Sequence, residues 1–256
     1  MAASHYDLRA RLAGPEPFLF SWMTIPGQEL AREMAKLPME GVCLDMQHGM
    51  IGFSDAVPMI AAINGAGRPA IVRCRWNEPG LVGQALDAGA AAVIAPMVNS
   101  RAEAEALVKA AKYSPLGMRS WGGPVPASGL GPTEYLAKAN KLTLVFAMIE
   151  TDIALGCVEE IAATPGLDGL FVGPSDLSIS LSKGRGIDKT GASTIAAMER
   201  IVAAAKANNL VPGAFGPEAD VVRAYRKLGY RFLAAGIDVA LLQAGAATLA
   251  ASLDGI

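Results

Sequence analysis

The sequence predicts an α/β fold, a single-domain (β/α)8 TIM barrel. Short apolar runs alternate with amphipathic helical segments along the chain, and this alternation is typical of a parallel sheet. Eight such units indicate that the sheet closes into a barrel. The length of 256 residues agrees with this fold, because one barrel commonly needs about 250 residues.

Each strand is assigned from a continuous apolar run, and each helix from the amphipathic segment that follows it. The predicted strands lie at residues 18–22, 41–44, 70–72, 92–95, 142–149, 169–172, 211–215 and 232–235. The predicted helices lie at residues 28–36, 54–64, 79–88, 101–111, 152–163, 191–208, 217–228 and 239–253. Gly89 and Gly229 follow two of these helices, where a glycine commonly ends a helix in the left-handed conformation. An open doubly wound sheet is the alternative, but residues 23–27 lack its dinucleotide-binding glycines.

Domain organisation follows from the connections between these elements. The two longest connections, at residues 113–132 and 177–190, are the kind that serve function or form interfaces, and neither marks a domain boundary. We therefore expect one domain over residues 1–256, with an N-terminal segment at residues 1–15 and a C-terminal helix at residues 239–253.

Composition excludes several classes of function. The net charge is −2 and the basic residues are scattered, so there is no electrostatic footprint for nucleic acid. No apolar run approaches the roughly 20 residues that a membrane helix needs, and residues 1–14 lack the apolar core of an export signal. The three cysteines form neither a zinc spacing nor a disulfide framework. We expect a cytoplasmic protein that binds neither nucleic acid nor a membrane.

Two acidic residues end neighbouring strands of the predicted barrel. Glu150 closes the longest apolar run, and Asp176 follows the next strand along the chain. Because active sites of such barrels lie at the carboxyl ends of the strands, the two carboxylates can converge on one cation. Oxygen ligands favour Mg²⁺ or Mn²⁺, with Co²⁺ as a further option. Taken singly, each acid could instead form a salt bridge or cap a helix.

A histidine and an arginine also follow predicted strands. His48 comes after the second strand, beside Asp45, and an imidazole there is suited to proton transfer, although a packed or surface histidine is the plainer interpretation. Arg73 ends the third strand and needs an anionic partner, which is either Asp45 or a bound carboxylate or enolate. Asp87 is a surface charge unless it reaches His48, whose basicity it would then raise.

The candidate site lacks a lysine and includes one glycine-containing turn. No lysine stands at the carboxyl end of a predicted strand, so a Schiff-base mechanism has no evident nucleophile and electrophilic work falls to a metal. Gly173 and Ser175 bring backbone N–H groups to the start of a short helix, which suits a substrate carboxylate or a phosphate. Trp22 and Phe215 end the first and seventh strands and are candidates for contact with the substrate.

Four motifs resemble the HpcH/HpaI family of class II, metal-dependent pyruvate aldolases. They are CLDMQH at residues 43–48, IVR at residues 71–73 followed by WNEP at residues 76–79, MIET at residues 148–151, and FVGPSDLS at residues 171–178. The resemblance runs from about residue 18 to the C-terminus and implies a TIM barrel. It also implies reversible aldol cleavage of a 4-hydroxy-2-oxo acid to pyruvate, or hydroxypyruvate, and an aldehyde through a metal-stabilised enolate.

The resemblance implies a role for each candidate residue. His48 would be the base, Asp87 its acidic partner, and Arg73 the group that stabilises the enolate oxygen. Glu150 and Asp176 would bind the divalent metal. The substrate would contact seven residues: Trp22, Met148, Gly173, Pro174, Ser175, Asp176 and Phe215. Family members are usually oligomers, so we expect a hexamer or trimer in which subunits exchange the C-terminal helix, with Leu241 and Leu242 available to a partner.

The sequence departs from well-known family members at two positions and in one loop. Gln47 stands where they carry Glu, and Met148 stands where a Gln would hydrogen-bond the substrate. The loop at residues 119–124 lacks the following arginines of members that take a long dicarboxylic substrate. These departures favour a smaller or less charged aldehyde. Two alternatives stay open: a citrate-lyase-like or malyl-CoA-like lyase, for which no basic cluster for CoA is evident, and a non-catalytic sensor of 2-oxo acids.

Overall fold

The computed structural model describes residues 8–123, 125 and 128–253 and has the predicted architecture. Eight parallel strands pair with their neighbours in chain order, and β8 pairs with β1 to close the barrel. The fold is therefore a single-domain TIM barrel, as predicted. Residues 1–7 with His5, Pro124 of the long connection, and residues 254–256 lie outside the described part of the chain.

The strands are short and buried on both faces, which explains their continuous apolar sequences. In chain order they are β1 (Phe18–Met23), β2 (Gly41–Asp45), β3 (Ala70–Arg73), β4 (Ala92–Ala95), β5 (Leu144–Ile149), β6 (Gly169–Val172), β7 (Val211–Phe215) and β8 (Phe232–Ile237). We call the end of the barrel where strands begin the amino end, and the end where they finish the carboxyl end.

The helices between strands run back from the carboxyl end to the amino end, while α1 precedes β1 and α12 follows β8. They are α1 (Leu8–Ala13), α2 (Gln28–Met34), α3 (Phe53–Gly65), α4 (Pro79–Asp87), α5 (Arg101–Ala111), α6 (Pro132–Leu142), α7 (Asp152–Gly156), α8 (Val158–Ala162), α9 (Pro174–Leu181), α10 (Ala192–Ala207), α11 (Ala219–Leu228) and α12 (Asp238–Ser252). As predicted, Gly89 and Gly229 follow helices with positive φ of 106° and 108°.

Two apolar clusters form the core. One fills the barrel interior with aromatic and aliphatic side chains such as Phe20, Phe146, Phe171 and Phe232. The Phe146 and Phe232 rings stack with centroids 4.5 Å apart. The second cluster lies between the strands and the surrounding helices. The interior is thus a packed core, and any substrate cavity must lie at an end of the barrel.

The amino end is closed by α1, a helix that the sequence analysis left as part of an N-terminal segment. Leu8 and Leu12 are buried against the interior cluster. Arg11 is held beside Glu40 at 2.5 Å, and Arg231 donates to the backbone oxygen of Leu12 at 2.8 Å. This helix therefore plugs the barrel opposite the predicted site.

Several predicted element bounds need correction. Leu142 belongs to α6, because the Thr143 N–H still donates to the Ala139 carbonyl, so β5 begins at Leu144. The helix predicted at residues 152–163 is two helices, since Cys157 leaves helical geometry at φ −126° and ψ 27°. The long connections at residues 113–132 and 177–190 lose residues to α6 and α9.

The last helix differs from the others in its surroundings. Asp238 is buried, whereas residues 239–253 are exposed, including the large apolar side chains of Leu241, Leu242 and Leu249. Within residues 8–123, 125 and 128–253, no helix combines the length and apolarity needed to cross a membrane.

Candidate active site

A cavity of about 280 Å³ opens at the carboxyl end of the barrel. Its lining contains nine residues that the sequence analysis singled out as site residues: Trp22, His48, Arg73, Met148, Gly173, Pro174, Ser175, Asp176 and Phe215. They lie at or just after the ends of six strands that are distant in sequence and meet only because the barrel closes. Among the described residues that line this cavity there is no lysine.

Arg73 is fixed by Asp45, one of the two partners considered for it. The Arg73 Nε and Nη2 atoms donate to the two Asp45 oxygens at 2.8 and 2.5 Å. The Trp22 indole donates to Asp45 at 3.2 Å, and the guanidinium lies 4.9 Å from the centre of the Trp22 ring. Within the described residues the Arg73 Nη1 group has no hydrogen-bond acceptor, so it is available to a ligand.

Asp45 stays ionised despite its burial. Burial by itself would raise the pKa of this carboxyl. The hydrogen bonds and charge of Arg73, together with the His48 backbone N–H and the Trp22 indole, lower the pKa below its usual value. The pair therefore presents a permanent guanidinium at the floor of the cavity.

His48 stands at the cavity rim on the loop that follows β2. Its backbone N–H donates to Asp45 Oδ1 at 3.2 Å, as does that of Gln47 at 3.0 Å. The side chain is exposed, and its imidazole ring makes no hydrogen bond to a described residue. The ring can therefore exchange a proton with a molecule bound in the cavity.

Glu150 is buried just beyond β5. Its Oε1 accepts the backbone N–H of Met97 at 2.6 Å, and Met97 has an unusual positive φ of 55° that aims this N–H inward. Burial raises the pKa of Glu150 to about 7; the Met97 N–H opposes that shift, nearby Asp176 adds to it, and Arg73 opposes it. A carboxyl with this pKa is desolvated and lacks a cation partner.

Gly173 makes room for this carboxylate. A Cβ at Gly173 would lie 2.5 Å from Glu150 Oε2 and 3.0 Å from Met148 Cε, so a side chain here would displace one of them. Gly173 also precedes α9, whose first-turn N–H groups at Ser175 and Asp176 have no acceptor within the helix. The turn thus combines close approach to Glu150 with donors suited to an anion.

The donor set fits a divalent cation of the hard, oxygen-seeking kind. Glu150 and Asp176 are close enough for one charge to perturb the other, and both are carboxylates. No group of three or more His, Cys, Asp or Glu side chains gathers as a metal site in the described part of the chain. Two carboxylates agree with Mg²⁺ or Mn²⁺, which keep several water ligands.

Asp87 lies away from this cavity within the protomer. It is the last residue of α4, which leads to the start of β4, and so it stands at the amino end. There its Oδ1 accepts from Arg119 Nη2 at 2.5 Å, while the Asp87 side chain remains 46% exposed. The predicted pairing with His48 therefore cannot form inside one chain.

Other residues of the site were missed or undervalued. Thr24 and Ile237 line the cavity but are uncharged, and only their places just after β1 and at the end of β8 could have identified them. Met97 contributes a backbone N–H, which no side-chain pattern signals. Asp45 was considered only as one possible partner of Arg73, and its second oxygen also accepts from Trp22.

The fold and the site together define a class of protein: a (β/α)8-barrel with a mixed acidic and basic cavity at the carboxyl end, where barrel enzymes hold their substrates. Comparison with known families narrows this class. The model of the family described as HpcH/HpaI aldolase/citrate lyase matches residues 20–244, and the chain belongs to this family. Aldolases of the family generally depend on a divalent metal.

Individual relatives agree with this assignment. A hydroxypyruvate/pyruvate aldolase of Rhizorhabdus wittichii is 38% identical over 90% of this chain and 91% of its own. A 2-dehydro-3,6-dideoxy-6-sulfogluconate aldolase of Pseudomonas putida is 34% identical over 93% of this chain and 92% of its own. The crystal structure of a family member from Burkholderia cenocepacia has 34% identity and a TM-score of 0.87, covering 96% of this chain and 99% of that one.

Proposed function

We propose that the protein is a class II aldolase that reversibly cleaves a 4-hydroxy-2-oxo acid to pyruvate, or hydroxypyruvate, and an aldehyde. The observation that carries this proposal is that His48, Arg73 and Asp176 line one cavity, while the buried Glu150 lies close to Asp176 and Arg73. The aldolase names of relatives that match nine-tenths of the chain support a carbon–carbon lyase. The absence of lysine among the described lining residues argues against Schiff-base chemistry.

Separate groups would bind the substrate carboxylate and the metal. The first-turn N–H groups of α9, at Ser175 and Asp176, would bind the substrate carboxylate. Glu150 and Asp176 would hold the metal, which we assign as Mg²⁺ or Mn²⁺, with Co²⁺ as a substitute. When bound, this cation supplies a Lewis acid that polarises the 2-oxo group.

Proton movement falls to His48 and charge stabilisation to Arg73. In the condensation direction His48 would remove a proton from C3 of pyruvate, directly or through water, because its ring faces the cavity without another partner. The Arg73 Nη1 group would donate to the 2-oxo oxygen as negative charge develops there. Asp45 keeps that guanidinium in place through its two hydrogen bonds.

The cavity favours a small, uncharged aldehyde. Besides Arg73, whose free Nη1 group is assigned to the 2-oxo oxygen, the described lining contributes the apolar side chains of Trp22, Met148, Phe215 and Ile237. A second carboxylate on the acceptor would find no free cation on this wall and would lose its hydration. We therefore extend the sequence-based expectation that the long dicarboxylic substrates of some relatives are disfavoured.

Metal removal and proton exchange test the proposed function. We expect pyruvate to exchange its C3 protons with solvent deuterium only when Mg²⁺ or Mn²⁺ is present, as followed by proton NMR. Dialysis against EDTA should abolish exchange, and readdition of the metal should restore it. The His48→Ala variant should bind metal yet lose exchange. Full activity after complete metal removal would refute the proposal, and binding without exchange would favour a 2-oxo acid sensor.

We also propose that the active form is a homo-oligomer, a hexamer or trimer, in the cytoplasm, with α12 exchanged between subunits. An apolar groove of about 420 Å³, lined by Leu19, Met39, Val222 and Ala235 among others, flanks β1, β8 and α11. In a closed barrel this is the place where the eighth helix would pack. Because residues 239–253 are exposed instead, α12 of a second copy is the natural occupant.

An oligomer also gives Asp87 its predicted role. Since Asp87 stands at the amino end, it can meet His48 only across a subunit boundary. Mixing inactive His48→Ala and Asp87→Asn chains tests this step. Random reassociation of equal amounts should leave about a quarter of the sites with both groups intact and restore a matching share of activity. Mixtures that exchange subunits yet stay inactive would show that Asp87 does not act on His48.

A further inference from the structure

Asp238 is a buried carboxylate that the mechanism above does not use. It is the first residue of α12, is 0% exposed, and makes no ion pair with a described residue. Four donors surround it instead. Oδ2 accepts the backbone N–H groups of Thr24 and Ile25, both at 2.8 Å, and Oδ1 accepts the Thr24 hydroxyl and the Val239 N–H, both at 2.9 Å.

These bonds fasten the start of α12 to the segment that follows β1. Three of the four donors belong to Thr24 and Ile25, which are more than two hundred residues away in sequence. A buried anion held only by N–H and O–H donors needs all of them, because each lost donor leaves charge uncompensated. The geometry between α12 and Thr24 is therefore closely specified.

Thr24 in turn supports the loop that carries His48. We call residues 46–50 the His48 loop. The Met50 N–H donates to the Thr24 carbonyl at 2.9 Å. Gly49 packs so tightly that a Cβ would lie 3.1 Å from both the Cα and the carbonyl oxygen of Thr24. Thr24 and His48 also line the same cavity, so displacement of Thr24 would move the support of the imidazole.

The part of α12 beyond Asp238 is open to a partner. Beyond Asp238, residues 239–253 are exposed and α12 meets the barrel only near β1 and β8 among the elements in substantial contact with it. The direction in which α12 leaves the barrel is thus fixed at its first residue. Asp238 thus lies between the exposed helix and Thr24, which contacts the His48 loop.

We propose that Asp238 is a positioning residue that couples the seat of α12 to the placement of His48. This inference rests on the proposed function, since it assigns the purpose of the coupling to the proton-transfer step. Asp238 does not touch the substrate cavity, and Ile237 before it does. Its removal should therefore affect proton transfer by His48 more than binding of the substrate carboxylate at α9.

Amide hydrogen exchange on the Asp238→Asn variant tests the coupling without any assay of catalysis. An asparagine oxygen can accept, but its amide group faces N–H donors and cannot. We expect the amides of residues 46–50 to exchange about tenfold faster than in the unaltered protein, because local opening becomes easier. The amides of α9 should keep their rates. Unchanged exchange at residues 46–50 in a folded variant would overturn the proposal.

Kinetics separate positioning from general destabilisation. In Asp238→Asn we expect kcat for pyruvate proton exchange to fall about tenfold while KM stays within about twofold. The control is Thr194→Val on α10, which removes the hydrogen bond from the Thr194 hydroxyl to the Asp188 carbonyl and lies outside the coupling path. It should lower thermal stability with little effect on kcat. Equal losses of kcat in both variants at matched stability would contradict a positioning role.

A milder variant covers the case in which Asp238→Asn does not fold. Thr24→Val removes only the hydroxyl bond to Asp238 Oδ1 and keeps both backbone N–H bonds. Amides of residues 46–50 should then exchange about threefold faster, and unchanged rates would again refute the coupling. If the unaltered protein shows no pyruvate exchange at all, the proposed function fails, whereas the amide rates still decide the role of Asp238.

Discussion

The two ends of the barrel each hold a cation beside an aspartate, and the surroundings of the two pairs differ. At the amino end Lys112 is 1% exposed and its ammonium donates three times: to Asp168 at 2.8 Å, to the Thr143 carbonyl at 2.7 Å and to the Asn140 carbonyl at 3.0 Å. Arg9 also reaches Asp168, at 2.6 Å. All three ammonium protons are thus used within the protein.

At the carboxyl end Arg73 is nearly as well buried, but its donors are only partly used. Asp45 occupies one edge of the guanidinium, and a cavity of about 280 Å³ lies beside the pair. Five N–H donors are available on this side chain, so hydrogen-bonding capacity remains for a ligand.

The difference separates a structural ion pair from one prepared for chemistry. Burying a charge is costly unless its hydrogen bonds are satisfied, and the Lys112 cluster satisfies them. Around Arg73 the protein leaves donors over, and Glu150 nearby is buried and forms no ion pair with a described residue. Such incomplete satisfaction at a cavity is what a bound substrate and cation would complete.

The largest expected effect is on catalysis, from Arg73→Lys. A lysine keeps the positive charge but cannot bind both Asp45 oxygens and a substrate oxygen in one plane. We expect kcat/KM for aldol cleavage to fall by about 10²- to 10³-fold, as for loss of one donor to a developing oxyanion. Thermal unfolding should change little, since Asp45 retains a cation. A fall in kcat/KM of less than fivefold would show that Arg73 does not stabilise the developing oxyanion.

Lys112→Met should lower stability and leave catalysis unchanged. It leaves Asp168 with Arg9 as its remaining cation and takes one donor each from the Asn140 and Thr143 carbonyls, of which Thr143 keeps Arg9 at 3.4 Å. We expect the free energy of unfolding to fall by about 3 kcal/mol, toward the lower limit for a broken buried pair. Urea titration measures this loss, and kcat of the folded enzyme should stay unchanged. A large loss of kcat in the fully folded variant would show that the Lys112 cluster is not a purely structural ion pair.

Sequence patterns predicted the barrel because strands buried on both faces must be continuously apolar. They also predicted His48, Arg73, Glu150 and Asp176, because charged residues just after such strands must lie at the carboxyl end. The helix α6 was missed, and α9 was predicted only at its start, since both carry too few apolar repeats to show a period. The break at Cys157 depends on local packing that no periodicity records.

The expectation that one protomer does not complete concerns Asp87. Its pairing with His48 came from a family resemblance, yet the alternation of strands and helices already puts the end of α4 at the amino end. Arg119, which binds Asp87, follows α5 at that same end and was noted only as part of a long connection. Thr24 escaped notice because its contribution is a backbone position held by Asp238, a contact between opposite ends of the chain.

The stability of the metal-free protein should depend on pH because Glu150 is a buried carboxyl at the carboxyl end of the barrel. The pKa of Glu150 is about 7 in the folded protein, above its ordinary 4.5, so the folded state binds this proton more tightly than the unfolded state. Stability should therefore fall as pH rises from about 4.5 to 7, by about 3 kcal/mol, and then level off. Urea titrations of metal-free Glu150→Gln should lack this decline. Parallel pH profiles in both proteins would show that the pKa of Glu150 is not raised in the folded protein.

The smallest expected effect comes from Met148, whose side chain is 1% exposed and packs near Gly173 at the cavity floor. Met148→Gln should place an amide beside the substrate and lower KM for pyruvate about threefold, the usual net value of one hydrogen bond. The same amide lacks a partner in the ligand-free protein, so unfolding should become easier by about 1 kcal/mol. Met148→Leu is the control, because it preserves apolar packing and should leave KM unchanged. If both variants shift KM alike, position 148 acts through shape, and the carboxyl end depends on packing there as the amino end does.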